Sequence, residues 1–149
     1  MENQKLVRAL TVLLATTYAY QLKIHKYHWN VTGPDFVQYH NFLGKMYEEI
    51  HDATDLIAES IRTLNALVPG SFDEFSQYSK IECDNEPNSS FDTMIYNLVD
   101  DNKVVIDLIK TTYVEAERFT AYDISDLMTS RLAAHEKNKW MMNAIIGKI

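Results

Sequence analysis

At 149 residues the chain suits one domain with a sizeable core, and the expectation is a single domain over 1–149. A formal net charge of −7 without any run of Lys or Arg argues against phosphate-backbone partners, and no uninterrupted apolar stretch is long enough for a membrane span. Cys83 is the lone cysteine and Met1–Lys5 lacks a secretory pattern, so a cytoplasmic protein without an intrachain disulfide is expected.

The first predicted helix covers residues 3–29. Leu6, Leu10, Leu13, Thr17, Tyr20, Ile24 and Tyr27 recur at steps of four and three, one stripe down a helix. Thr32-Gly33-Pro34 ends it, and Asp35 is placed to cap the second helix. That helix, 36–64, carries the strongest periodicity: Phe36, Tyr39, Leu43, Met46, Ile50, Ala53, Ile57, Ile61 and Leu64. Pro69-Gly70 closes it. Ser71 to Glu74 reads as an N-cap with acidic first-turn residues, predicting a short helix to Tyr78 within a long connection. Ser89 or Ser90 opens a third long helix, with Phe91, Ile95, Leu98, Val105 and Ile109 on one face, ending near Arg118. Asp123 to Asp126 is expected to cap a fourth, reaching about Ile146, whose apolar stripe is less clean. No strand-like alternation competes. The fold class read from this pattern is all-α, a ferritin-like four-helix bundle with a short extra helix in the connection between helices two and three.

The second helix also bears a polar stripe, His40, Gly44, Glu48, His51, Asp55 and Glu59, centred roughly 150° from the apolar one. Histidine with Asp and Glu is the donor set of borderline metals such as iron, manganese and zinc. His40 and Asp55 are fifteen residues apart, roughly 22 Å at the helical rise, whereas metal–ligand bonds are about 2 Å. The two cannot share a metal within one chain. The short 31–35 turn makes the first two helices antiparallel and puts His28 level with His40. His28 and His40 therefore form one cluster, Asp55 and Glu59 another. Two copies with their second helices antiparallel across a two-fold axis bring the His pair of one chain to the acid pair of the other, giving two identical sites per dimer.

These residues resemble a known family. His28-Trp29-Asn30, then Gly33, His40, Asp55 and Glu59, with the later His135-Glu136-Lys137 and Trp140-Met141, are similar to the Dps mini-ferritins over nearly the whole chain. The resemblance implies a homo-oligomeric, dodecameric hollow shell. It implies ferroxidase sites at two-fold interfaces, taking His28 and His40 from one chain and Asp55 and Glu59 from the other as metal ligands and catalytic residues. It further implies oxidation of Fe(II), preferentially by hydrogen peroxide, and storage of ferric mineral, which limits oxidative damage. Two departures stand out. Where the family usually has an Asp, four residues after the second histidine, this chain has Gly44; the site is then di-iron or mono-iron, with Glu48 or His51 as candidate substitutes. DNA-condensing members carry a Lys-rich tail, whereas Lys5 and Arg8 are the only basic residues near this start, so no direct DNA binding is expected.

Other residues have plainer readings beside functional ones. Trp29 either packs or takes up an oxidising equivalent, and His25 reads as surface or interface. Asp123 and Asp126 are helix caps or the lining of an iron-entry pore. His135 and Trp140 read as packing, Cys83 as a loop thiol. The alternative functions are a nucleoid protein that coats DNA, and an iron-binding shell whose oxidation is weakened by Gly44.

Overall fold

A computed structural model describes residues 3–148. The expected helices are all present: α1 (Gln4–Asn30), α2 (Phe36–Thr63), α3 (Phe72–Tyr78), α4 (Phe91–Arg118) and α5 (Tyr122–Ile145). Among the described residues there is no strand, and no helix is long and apolar enough to cross a membrane. Residues 1, 2 and 149, on which part of the reading of the termini falls, lie outside the described residues.

The leucine stripe of α1 and the isoleucine stripe of α2 meet in one core, where Leu6, Leu10, Leu13, Ile24, Leu43, Ile50 and Ile61 are fully buried. Burying each such side chain contributes about 1.5–3 kcal/mol, which turns the periodicity into a packed bundle. Contacts between α1 and α2 step in opposite directions, from His28–His40 through Gln21–His51 to Asn3–Leu64, so the pair is an antiparallel hairpin. Gly33, at a φ of +121°, supplies the left-handed residue of its turn.

The connection after α2 has to return the chain to the start of that helix. The Phe91 ring, first in α4, stacks on Tyr39 in the first turn of α2 with centroids 3.5 Å apart. The 28 residues of α2 span about 42 Å, and the crossover covers that distance, making α4 parallel to α2. On the way, α3 is opened by a complete capping box between Ser71 and Glu74. The loop beyond it is fastened to α1, where the Tyr27 hydroxyl donates to the Asp84 carboxylate.

Three sequence expectations change. Asp35 occupies the N-cap position of α2 without a side-chain cap bond; its carboxylate instead accepts from Tyr39 at 3.4 Å. The last helix starts at Tyr122 with Ala121 as N-cap, so Asp123 lies inside its first turn, where its charge complements the helix dipole. Trp140 is 66% exposed, so it does not pack within the subunit.

The ragged stripe of α5 has a physical cause: its inner face buries Arg131, His135 and Asn138. Arg131 donates to Glu49 of α2 at 2.6 and 3.0 Å and to His135 Nε2 at 3.0 Å. His135 Nδ1–H donates to Asn102 Oδ1 of α4 at 2.7 Å, and Asn102 returns a bond to the His135 carbonyl at 3.0 Å. This network ties α2, α4 and α5 together across the bundle.

Candidate metal half-sites on the first two helices

His28 sits in the last turn of α1 and His40 in the second turn of α2, and the hairpin brings them level. Their rings stack with centroids 3.7 Å apart and 19° between planes. His28 Nδ1 lies 2.7 Å from the His40 carbonyl oxygen, and His40 Nδ1 lies 2.8 Å from the His28 carbonyl oxygen. A carbonyl can only accept, so both Nδ1 atoms carry the proton. In the neutral rings each Nε2 then keeps a free lone pair. A backbone carbonyl fixing the tautomer from the far side of the ring is the usual support of a metal-ligating histidine. The residues present therefore fit a borderline divalent metal.

The acid pair is elsewhere. Asp55 and Glu59 are exposed, one turn apart near the far end of the same unbroken helix, and neither is in an ion pair among the described residues. Asp55 lines an open groove of about 550 Å³ with His51, Asp52 and Thr54. Among the described residues, no group of three or more His, Cys, Asp or Glu is placed to hold a metal ion.

Around the histidine pair and along the two helices toward the acid pair runs a row of aromatic rings. Phe36 lies 5.0 Å from His40 on one side, and His25 lies 6.0 Å from His28 on the other. His25 is held between Trp29, at 3.9 Å, and Tyr47, at 3.8 Å; His51 lies 5.7 Å beyond Tyr47. Burial, and then the neighbouring His28 and His51, hold the His25 pKa below its ordinary value. The Gln21 amide lies 3.1 Å from His51 Nδ1, so that nitrogen is engaged by α1. Glu48 is exposed. Sequence reasoning missed Gln21, Phe36 and Tyr47 as neighbours of the histidines. For Phe36 and Tyr47 the signal was present, because they flank His40 and His51 at four-residue spacing on α2.

Gly44 comes one turn after His40, directly beneath this stack. A Cβ at that position would lie 2.9 Å from His28 Cε1 and 3.1 Å from His28 Nδ1.

The ferritin-like domain family matches residues 7–149. A Dps protein from Vibrio cholerae O1, described as a member of a broad superfamily of ferritin-like diiron-carboxylate proteins, superposes with a TM-score of 0.93 at 27% identity, over 97% of this chain and 91% of that one. This chain belongs to the ferritin-like family, in its Dps branch. An uncharacterized low temperature-induced protein of Nostoc sp. is 30% identical over 146 residues, 97% of this chain and 82% of that protein. The DNA protection during starvation protein 2 of Bacillus anthracis is 23% identical over 146 residues, 98% of this chain and 99% of that protein. This Dps chain thus combines a family-wide bundle with a glycine at position 44.

Proposed function

We propose that this Dps-type chain is one ferritin-like domain that oxidises Fe(II) at sites shared between two subunits, preferentially with hydrogen peroxide. In this reading it stores the ferric product inside a dodecameric cytoplasmic shell. Membership of the family supports iron storage and protection against oxidative damage. The observation that carries the shared site is the reciprocal Nδ1–carbonyl locking of His28 and His40, which leaves an Nε2 lone pair free on each of two stacked rings. The carboxylates that would complete the ligand set stand about 22 Å up the same helix, so a second copy has to supply them.

His28 and His40 would hold the incoming iron, and the partner's Asp55 and Glu59 would neutralise its charge while open positions remain for the oxidant. Peroxide takes two electrons, one from each of two Fe(II), together with two protons, and leaves as two waters. The exposed Asp123 and Asp126, in the first turns of α5, are the proposed entry route for iron. Because the net charge is −7, direct DNA binding is not part of this function.

Anaerobic loading with Fe(II), followed by peroxide, should produce ferric absorbance faster than an equivalent of dioxygen does. The double variant Asp55→Ala, Glu59→Ala should lose this oxidation; full rate in that variant would refute the assignment. A second reading, an iron-binding shell of weakened oxidation, is favoured by Gly44, which offers no ligand. Iron stoichiometry per subunit in the anaerobic titration separates the two.

A further inference from the structure

Gly44 brings no donor to the stripe of α2 that carries His40, Asp55 and Glu59, and the dimer that unites the half-sites determines what stands opposite it. In that arrangement His40 is level with the turn between the partner's Asp55 and the partner's Glu59. The two α2 helices run antiparallel, so one turn forward along one is matched by one turn back along the other. Gly44, one turn on from His40, is therefore level with residues 51–55 of the other chain, a turn that His51 opens. Around the helix His51 falls roughly 20° from both His40 and Gly44, on the same stripe. It is exposed, and with Asp55 it lines one open groove. The partner's Glu48 stands three residues nearer the two-fold axis, about 4.5 Å farther from His40 along the helix.

Gln21 of α1 holds His51 from behind. Its side chain is 5% exposed, its Nε2 lies 3.1 Å from His51 Nδ1, and its Oε1 is buried without a hydrogen-bond partner among the described residues. An unpaired buried amide oxygen is costly, and a leucine would bury similar surface without that cost. What only the glutamine supplies is the contact with His51.

We propose that His51 is a metal ligand of the shared site, supplied across the dimer interface beside Gly44, with Gln21 as its positioning residue. This rests on the reading of His28, His40, Asp55 and Glu59 as a site shared by two chains. A metal takes the lone pair of His51 Nε2, so the proton must sit on Nδ1. There the Gln21 amide meets it. A half-turn about its last torsion presents Oε1, which accepts the Nδ1–H bond and fixes both tautomer and ring direction. Each site then collects three imidazoles, His28 and His40 from one chain and His51 from the other, beside the two carboxylates. A third imidazole favours borderline ions such as Fe(II), Co(II) and Zn(II) over Mg(II) and Ca(II).

The test uses the assembled protein and Co(II), titrated anaerobically, with the visible ligand-field spectrum and the heat of binding as readouts. Wild type is compared with His51→Ala, Gln21→Leu, Gln21→Glu and Asp55→Ala. His51→Ala, at an exposed position, should fold and assemble as wild type does, yet bind Co(II) about tenfold or more weakly, with a changed spectrum. Gln21→Leu keeps the ligand but should lose about ten- to a hundredfold in affinity, as removal of an orienting partner does. Gln21→Glu, whose carboxylate accepts the same Nδ1–H bond, should bind at least as tightly as wild type. Wild-type affinity and spectrum in His51→Ala would overturn the proposal, and Gln21→Glu binding no better than Gln21→Leu removes the role of Gln21. A crystal structure of the Co(II)-loaded protein checks the geometry directly. One ion should lie about 2.1 Å from His51 Nε2 of one chain and be ligated by His40 of the other. An ion on His51 that no His40 touches refutes the inference. Failure of the shared-site reading shows separately, as wild-type Co(II) affinity in Asp55→Ala.

Discussion

Lowering the pH from 7 to 5 should destabilise the bundle through His135, a buried residue of α5. The ring is 1% exposed, its Nδ1–H is spent on Asn102, and its Nε2 accepts from the Arg131 guanidinium. Burial first, and the Arg131 charge second, push its pKa from 6.5 down to about 3. The folded protein therefore holds this ring neutral across a range in which the unfolded chain protonates it. The unfolded state binds more protons between pH 6.5 and 3, so stability is complete above 6.5 and is lost as the pH falls through that window. At pH 5 an unfolded histidine gains about 2 kcal/mol from protonation, rising to about 5 kcal/mol at pH 3. For a domain of this size 2 kcal/mol corresponds to about 4–8 °C in Tm. Thermal unfolding of wild type and His135→Gln at pH 7 and pH 5 isolates this contribution, because all other titrating groups are common to both. Wild type should lose about 2 kcal/mol more than the variant over that interval. Equal losses would refute the reasoning, whatever the absolute stability of the variant.

Arg131→Met should raise the His135 pKa towards its ordinary value and so reduce the same acid sensitivity in part, since burial, the larger cause, remains; paired Tm–pH curves check this. Ile50→Ala, at a fully buried position of α2, should cost about 2–5 kcal/mol in urea unfolding through the cavity it leaves. Ser90→Ala removes the oxygen that caps Thr93 N at 3.2 Å and should cost about 1 kcal/mol, measured the same way. A low-salt gel shift should leave DNA unretarded by this acidic chain, and retention would remove the charge argument.

The helices were legible because each long one repeats apolar residues at steps of three and four, and that period survives any detail of packing. Ser71 and Glu74 announced α3 with similar clarity, since a capping box is a local device. Asp35 and Asp123 were misread as side-chain caps. Whether a carboxylate turns back onto its own helix depends on what else it can reach, and Asp35 accepts a bond from Tyr39 instead. Trp140 looked like packing, yet burial depends on which face of α5 meets α4, and that face carries His135 instead. The network from Glu49 through Arg131 and His135 to Asn102 left only a blurred stripe in the sequence, because three separate helices supply its members.

By itself the sequence determined the number and order of helices, the antiparallel pairing enforced by the short 31–35 turn, and the separation of His40 from Asp55 along α2. Each of these comes from fixed backbone geometry: residues per turn, rise per residue and the reach of a short loop. Only the tertiary structure decided what the imidazoles do. The facing carbonyls lock both Nδ1 atoms, the ring row continues through His25 and Tyr47, and the His28 ring packs close to Gly44. Those outcomes rest on contacts of about 3 Å between side chains and backbone of two different helices, and helical periodicity does not encode such distances.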